Sequence, residues 1–342
     1  MEKTDILSLR LSELEEIILA MGEKKFRAKQ IYEWLHLKRV SSFSDMTNIS
    51  SALQTKLSDK FCINCIKIVK KLESTIDNTV KYLYELSDGN HIECVLMDYK
   101  HGDSICISTQ VGCKMGCKFC ASTIAGFKRN LLPSEMLLQI YEAERESGRK
   151  ISSIVLMGIG EPLDNYDNVM SFLDIISSKE GTNLSLRHLS LSTCGLVDKI
   201  NELADRHYGL TLSISLHATN NTARSEIMPV NKTYPIETLI DACRKYIDKT
   251  GRRISFEYAV IEGVNDGRDS ADELIRLLRG INCHVNLIPV NQIKERDYKS
   301  NKNSVRNFQL ALEKGGLNAT VRRTLGSDIN AACGQLRREY EI

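Results

Sequence analysis

From residue 104 the chain repeats one rhythm: a short β-prone run, a loop, then a longer stretch with helical periodicity. The β-prone runs are Ser104-Ile-Cys-Ile-Ser, Ile151-Ser-Ser-Ile-Val-Leu-Met, His188-Leu-Ser-Leu-Ser, Leu210-Thr-Leu-Ser-Ile-Ser-Leu, Ile254-Ser-Phe-Glu-Tyr-Ala-Val and His284-Val-Asn-Leu-Ile-Pro. Helical spacing follows over 134–147, 166–178, 197–206, 236–249, 268–279 and 303–314, and a last run, Ala319-Thr-Val-Arg-Arg-Thr, closes the series. Six βα units in succession require an α/β fold with a parallel sheet and helices outside it. Six units are too few for an eight-fold barrel, so an open doubly wound sheet and a partial (βα)6 barrel both fit.

The segments before the repeat differ. Residues 1–75 show no strand pattern, while Leu11-Ser-Glu-Leu-Glu-Glu-Ile-Ile-Leu-Ala and Arg27-Ala-Lys-Gln-Ile-Tyr-Glu-Trp-Leu are helical in spacing. They read as a small helical domain with Trp34 in its core. Residues 76–103 form a β-hairpin extension: Val80-Lys-Tyr-Leu-Tyr-Glu-Leu and His91-Ile-Glu-Cys-Val-Leu-Met alternate on either side of Asp88-Gly-Asn. The repeat occupies 104–342. At 342 residues with a net charge of +2, neither length nor charge selects a partner. Met1-Glu-Lys-Thr-Asp begins no signal peptide, and no run approaches the ~18 apolar residues of a membrane span. A cytoplasmic protein is expected, and most of its eleven cysteines should then be reduced thiols.

Four of those cysteines fall between Cys106 and Cys120. Cys113, Cys117 and Cys120 have the spacing C-x3-C-x2-C, with Phe119 before the last. Three thiolates on one loop can hold a [4Fe-4S] cluster and leave one iron open to a substrate. Structural zinc would instead take four ligands, usually as two separated pairs. Cys106 lies inside the first strand, not in the loop. Beyond the second strand, Gly158-Ile-Gly160-Glu161-Pro162 lets backbone approach a ligand and offers a carboxylate to an ammonium group. It is not a dinucleotide fingerprint, because Leu163 stands where the third glycine would be. Ser192, Ser215-Leu216-His217 and Asn291 end three further strands, and barrel ligands collect at that rim. Cys62-Ile-Asn-Cys65 stands alone without a second pair, and Cys94, Cys194, Cys243 and Cys283 read as core.

The C-x3-C-x-Φ-C loop directly after the first strand resembles the radical S-adenosylmethionine superfamily, which implies the partial barrel. Gln110-Val-Gly-Cys113, Gly160-Glu-Pro, Ser215-Leu-His217-Ala, Met228-Pro-Val-Asn231-Lys and Asp328-Ile-x-Ala-Ala-Cys333-Gly-Gln-Leu together resemble the RlmN family of RNA methyltransferases. Its relative Cfr shares much of this frame. The resemblance runs from Lys25-Phe-Arg-Ala-Lys-Gln to nearly the end of the chain.

What the resemblance implies is methylation of carbon 2 of an adenine in 23S rRNA and of the adenine beside the anticodon in certain tRNAs. It implies two S-adenosylmethionine molecules per turnover and an electron donor such as flavodoxin or ferredoxin. One S-adenosylmethionine methylates the Cys333 thiolate; the other, held on the open iron, yields a 5′-deoxyadenosyl radical that activates this methyl. The resulting methylene radical joins carbon 2 in a covalent protein–RNA adduct. Glu93, which the residues alone read as an exposed strand carboxylate, is implied as the base. Cys106 is implied to release the product through a transient disulfide with Cys333. Gly160, Glu161, Ser192, Ser215, Leu216, His217 and Asn291 are implied S-adenosylmethionine contacts.

Pro162, Val111 and Ala121-Ser-Thr fit RlmN, whereas Leu325 replaces the usual Arg; an Arg facing RNA there would make a bond to the substrate that Leu325 cannot. Carbon-8 methylation, as in Cfr, and a non-catalytic zinc or iron–sulfur RNA-binding protein are the alternatives. The N-terminal helices resemble the family's accessory RNA-binding domain. Lys24-Lys25, Lys38-Arg39, Lys70-Lys71, Lys128-Arg129, Arg322-Arg323 and Arg337-Arg338 are candidates for a basic face.

Overall fold

A computed structural model of the chain describes residues 3–291, 297–332 and 334–336. Ten strands form one sheet: β1 (Lys67–Glu73), β2 (Val80–Glu85), β3 (His91–Tyr99), β4 (Gly102–Cys106), β5 (Ile151–Leu156), β6 (Leu189–Thr193), β7 (Thr211–Ser215), β8 (Ile254–Val260), β9 (Cys283–Pro289) and β10 (Ala319–Val321). Their order across the sheet is their order in the chain. Pairings from β4 to β10 are parallel, and those joining β1 to β4 are antiparallel. A doubly wound sheet reverses direction partway along. This one winds a single way and its order has two ends, so it is the open partial barrel.

Helices α4 (Pro133–Ser147), α5 (Tyr166–Ile176), α6 (Val197–Asp205), α8 (Ile236–Thr250), α9 (Arg268–Leu278) and α10 (Lys302–Lys314) follow β4 to β9 in turn. A short α7 (Asn221–Ile227) precedes α8. The strands' period-2 alternation sorts their side chains by face. Leu189, Leu191, Leu212, Ile214, Phe256, Tyr258, Val285 and Leu287 pack into one core with helix residues such as Leu137, Leu173, Ile200, Leu239 and Phe308. The alternate positions are polar: Ser215, Glu257, Asn286 and Thr320 stand in register across β7 to β10. Strands buried on both faces ordinarily read as continuous apolar runs. The serines between the leucines therefore mark a barrel interior with a polar face.

The N-terminal helices α1 (Leu11–Ala20), α2 (Phe26–His36) and α3 (Ser51–Lys60) share this core through Leu14, Ile18, Ile31, Tyr32, Leu35 and Leu53. Arg10 to Asp174 (2.8 Å) and Arg39 to Glu144 (2.5 Å) add ion pairs to the barrel helices. Trp34 is not core, as its sequence suggested; it is half-buried, with Lys38 over its ring. Nor are the first 75 residues free of strand. Lys67–Glu73 is an edge strand, so the extension has three strands before β4, not a hairpin alone. A register shift between Ile68 and Lys70 leaves only Ile68 and Leu72 half-buried. That four-residue interval imitates helical spacing, and the exposed lysines are the charge that discourages edge pairing.

At the seam between α2 and α4, His36 is buried, its ring 4.3 Å from that of Tyr32, its Nδ1 3.1 Å from the Tyr141 hydroxyl. Burial, with the nearby Arg39 cation, lowers its pKa to about 3. The unfolded chain thus takes the proton first: the neutral ring's contribution is complete above about pH 6.5 and is lost as pH falls toward 3. We expect wild type to lose about 2 kcal/mol relative to His36→Phe between pH 7.5 and 5. Urea unfolding at the two pH values measures this, and parallel pH dependences would refute it.

Candidate active site

Directly after β4, Gln110-Val111 pairs antiparallel with Arg129-Asn130 and pinches the chain into a loop that carries the three spaced cysteines. The pinch depends on Gly112, whose φ is +77°; a Cβ there would lie 1.7 Å from the Gly126 carbonyl oxygen. The loop is fastened on two sides. The Lys118 amide donates to the carbonyl of Ile227, the last residue of α7 (2.9 Å), and the Ala121 amide to the Gly334 carbonyl (2.8 Å). Cys113, Cys117 and Cys120 line a cavity at the carboxyl ends of the strands, together with Gly160, Glu161, Ser192, Ser215, His217 and Asn291. Nine of the sequence-derived positions therefore meet at one rim.

Burial pushes the Cys113 thiol up to about 12 and the Cys117 thiol well above its ordinary value, each thiol raising its neighbours in turn. Such thiols ionise only against a cation. Among the described residues no three His, Cys, Asp or Glu side chains converge on the position of one metal ion. Three thiols lining a single cavity fit a [4Fe-4S] cluster with one iron left open, whereas structural zinc takes four ligands.

The Gly158–Glu161 turn is moulded against the strand-exit segment. Gly160 has φ +111°, and a Cβ there would meet Gln110 Cβ at 2.6 Å. The Glu161 amide donates to Gln110 Oε1 (2.9 Å), and its carboxylate accepts from the amides of Cys194 (2.7 Å) and Leu163 (3.1 Å). Burial raises its pKa, and the Cys194 N–H offsets part of that shift while holding the carboxylate in place. Ser192 and Ser215 approach each other, Oγ to Oγ, at 3.5 Å. His217 takes a left-handed φ of +58°, a strained setting for a side chain-bearing residue. Its carbonyl accepts from Asn265 Nδ2 (2.8 Å) and its Nδ1 accepts the Ala259 amide (2.9 Å). Accepting at Nδ1 puts the proton of the neutral ring on Nε2, and burial keeps the ring neutral by lowering its pKa to about 3. Phe119 meets it edge to face, centroids 4.8 Å apart.

Leu216 does not line the cavity. Its side chain is in the helix-side core, and its amide donates to the Glu257 carbonyl (3.0 Å). Neither Cys106 nor Glu93 lines the cavity. Cys106 ends β4 and packs with Val95, Ile159, Ala331 and Leu336, the last of which reaches the cavity lining. Glu93 is buried, not exposed; its Oε1 is 3.0 Å from Lys81 Nζ, and its carbonyl accepts from Ser108 Oγ (2.7 Å). Cys333 lies outside the described residues, as does Arg337-Arg338. Of the described residues near it in the chain, Ala331 belongs to the apolar cluster of Cys106, and Gly334 lines the cavity.

Several participants escaped the sequence reading. Cys194, read as core, lines the cavity. Glu257, in the middle of β8, is buried in the cavity wall, accepts from Asn286 Nδ2 (3.0 Å to Oε2) and lies 3.5 Å from Arg322 Nη1. Burial raises its pKa while Arg322 lowers it. The lone charge within the run Phe256-Glu-Tyr-Ala-Val was the available signal. Leu325 is buried. In three of the basic pairs one member is engaged by other groups: Lys71 by Glu73 and Glu146, Arg129 by Asp88 and Glu135, and Arg322 by Glu257 in the cavity wall. Cys62 and Cys65 are exposed.

A partial barrel whose first loop brings three cysteines to its mouth defines a radical S-adenosylmethionine protein, and the Radical SAM superfamily model matches residues 107–278. The model of the ribosomal RNA large subunit methyltransferase N-terminal domain matches residues 4–63. The chain belongs to the RlmN family. A probable dual-specificity RNA methyltransferase RlmN of Lachnoclostridium phytofermentans is 55% identical over 340 residues, 99% of this chain and 96% of that protein. Its counterpart in Alkaliphilus oremlandii is 56% identical over 341 residues, 99% of each chain. The crystal structure of a radical SAM methyltransferase from Sphaerobacter thermophilus superposes with TM-score 0.92 at 41% identity, covering 98% of this chain and all of that one.

Proposed function

We propose that this chain methylates RNA at carbon 2 of adenine, in 23S rRNA and beside the anticodon of certain tRNAs, by way of a methylated Cys333. The observation that carries the reading is the juxtaposition at the barrel mouth. Three cluster-type cysteines share a cavity with Gly334 and Leu336, Cys106 shares an apolar cluster with Ala331 and Leu336, and Lys81 links Glu93 to the Asn330 carbonyl. Carbon 2 lies between two ring nitrogens and is too electron-poor to attack a sulfonium methyl. Sulfur is not, so a thiolate suits the first transfer.

Cys113, Cys117 and Cys120 would hold a [4Fe-4S] cluster with one open iron, supplying an electron and a coordination site for S-adenosylmethionine. Glu161, Ser192, Ser215, His217 and Asn291 would bind that molecule: Glu161 meets its ammonium, and neutral His217 offers an N–H without adding charge. Two molecules serve each turnover, one as methyl donor to Cys333, and a flavodoxin or ferredoxin supplies the electron. Glu93 takes the carbon-2 proton from the RNA joined through Cys333 as the adduct's unpaired electron leaves, a one-electron exchange that the cluster would supply. The Cys106 thiolate then attacks the Cys333 sulfur: an S–S bond forms, the S–CH2 bond breaks, and its electron pair stays on carbon, which is protonated to the methyl group. No helix among the described residues is long and apolar enough to cross a membrane, which accords with work on cytoplasmic RNA.

Nucleoside mass spectrometry of rRNA and tRNA from cells lacking or overproducing the protein tests the reading. We expect 2-methyladenosine to vanish and to rise, respectively. 8-Methyladenosine would transfer the reaction to carbon 8, and unchanged nucleosides together with a colourless zinc protein after anaerobic reconstitution would overturn it altogether.

A further inference from the structure

The two faces of the antiparallel extension have different surroundings. Tyr82, Tyr84, Cys94 and Leu96 enter the helix-side core, while Lys81, Leu83, Glu93 and Val95 alternate with them on the other face. Lys81 pairs directly with Val95, and Leu83 with Glu93, so Lys81 and Glu93 are diagonal neighbours within reach of each other. Lys81 is only 8% exposed. Its ammonium lies 3.0 Å from Glu93 Oε1 and donates to the Asn330 carbonyl at 3.2 Å.

Asn330 is three residues before Cys333 and is held at φ +51°. The rest of that loop is tied to the turn after β1. Asp328 accepts from Ser74 Oγ (2.7 Å) and the Thr75 amide (2.8 Å), and Asp77 accepts from the Gly326 amide (3.1 Å). Burying an ammonium costs several kcal/mol, and an apolar side chain would fill the space between two strands more cheaply. What the ammonium adds is a single atom bonded both to a carboxylate and to the backbone of the Cys333 loop.

We propose that Lys81 is a positioning residue that couples Glu93 to the Cys333 loop, so that the carboxylate is aligned on the adduct when that loop is seated. The inference rests on the reading of Glu93 as the base. Lys81 touches neither RNA nor cofactor in this scheme. Its role falls at one step, proton removal, and not at the earlier methylation of Cys333.

The test uses the full-length, cluster-loaded protein with S-adenosylmethionine and substrate RNA, comparing wild type with Lys81→Met, Lys81→Arg and Glu93→Gln. Intact mass reports methylated Cys333, and a denaturing gel reports protein–RNA adduct. We expect Lys81→Met to methylate Cys333 like wild type, yet to resolve the adduct about tenfold to a hundredfold more slowly, the range a misplaced catalytic group costs. Lys81→Arg should recover part of the rate, since its guanidinium keeps the charge but not the compact geometry. In the absence of cluster and RNA, amide exchange around Ala331 should quicken in Lys81→Met, which reads the loop tie alone. Wild-type adduct resolution in Lys81→Met, with adduct accumulating in Glu93→Gln, overturns the role of Lys81 and leaves the base in place. Equal loss of Cys333 methylation in Lys81→Met reduces the residue to a structural part and also overturns the inference. Normal resolution in Glu93→Gln removes the base reading itself.

Discussion

Cys106→Ala should leave the protein covalently attached to its RNA. Cys106 is the last residue of β4, buried against Val95, Ile159, Ala331 and Leu336. Without its thiol, nothing at this position can attack the Cys333 sulfur, and the bond from that sulfur to the RNA persists. Multiple turnover is expected to fall at least about a thousandfold, as when a nucleophile is deleted from a mechanism that depends on it. The enzyme should meanwhile make one stoichiometric adduct, visible as a nuclease-sensitive band above the protein on a denaturing gel. Folding is not the cause, since replacing a small buried thiol by alanine costs only about 1 kcal/mol. Cys106→Ser should behave alike, because a hydroxyl cannot take part in thiol–disulfide exchange. Normal turnover by Cys106→Ala would end the resolving role.

The same residue shows what was legible in the chain. Its place inside the strand, outside the C-x3-C-x2-C spacing, separates it from the loop cysteines before any coordinates are known. The βα rhythm was equally plain, because parallel strands and their helices have different periods. What stayed hidden was whatever depends on the third dimension. Cys194 and Glu257 sit in strands or strand exits whose sequence does not say which face turns inward. Lys81 and Asn330 meet across most of the chain's length. Leu216 belonged to the right tripeptide but not to the cavity, because alternation puts it opposite Ser215 and His217. The edge strand Lys67–Glu73 was obscured by its own bulge, which broke the alternation that would have revealed it.

Arg224 was missed for a related reason: α7 is only a short helix capped by Asn220, without a periodic apolar face to draw attention. Its side chain is fully buried and holds the exits of two strands together. Nε donates to the Leu216 carbonyl (3.1 Å), Nη2 to the carbonyls of Cys194 (2.7 Å) and Ser215 (3.1 Å), and Nη1 to Asn231 Oδ1 (3.2 Å). Burial lowers its pKa, while the nearby thiols of Cys194 and Cys117 act in the opposite sense. The guanidinium thus faces carbonyls in the ground structure and stands near a cysteine that would become a thiolate ligand. Arg224→Met keeps most of the volume but takes a donor from three carbonyls, of which only that of Leu216 is seen to keep another, the Ala218 amide (2.8 Å). Relief from burying a charge offsets part of that loss, leaving a net destabilisation of about 3–5 kcal/mol. The urea midpoint should drop accordingly, with Arg224→Lys between the two because one ammonium cannot span both strand exits. Iron retained after anaerobic reconstitution should fall in the same order, since Cys194 and Ser215 line the cavity beside the cluster loop. If Arg224→Met unfolds at the wild-type midpoint, the strand exits are held by packing alone. If it is destabilised yet keeps its full iron content, the guanidinium supports the barrel without bearing on the cluster loop.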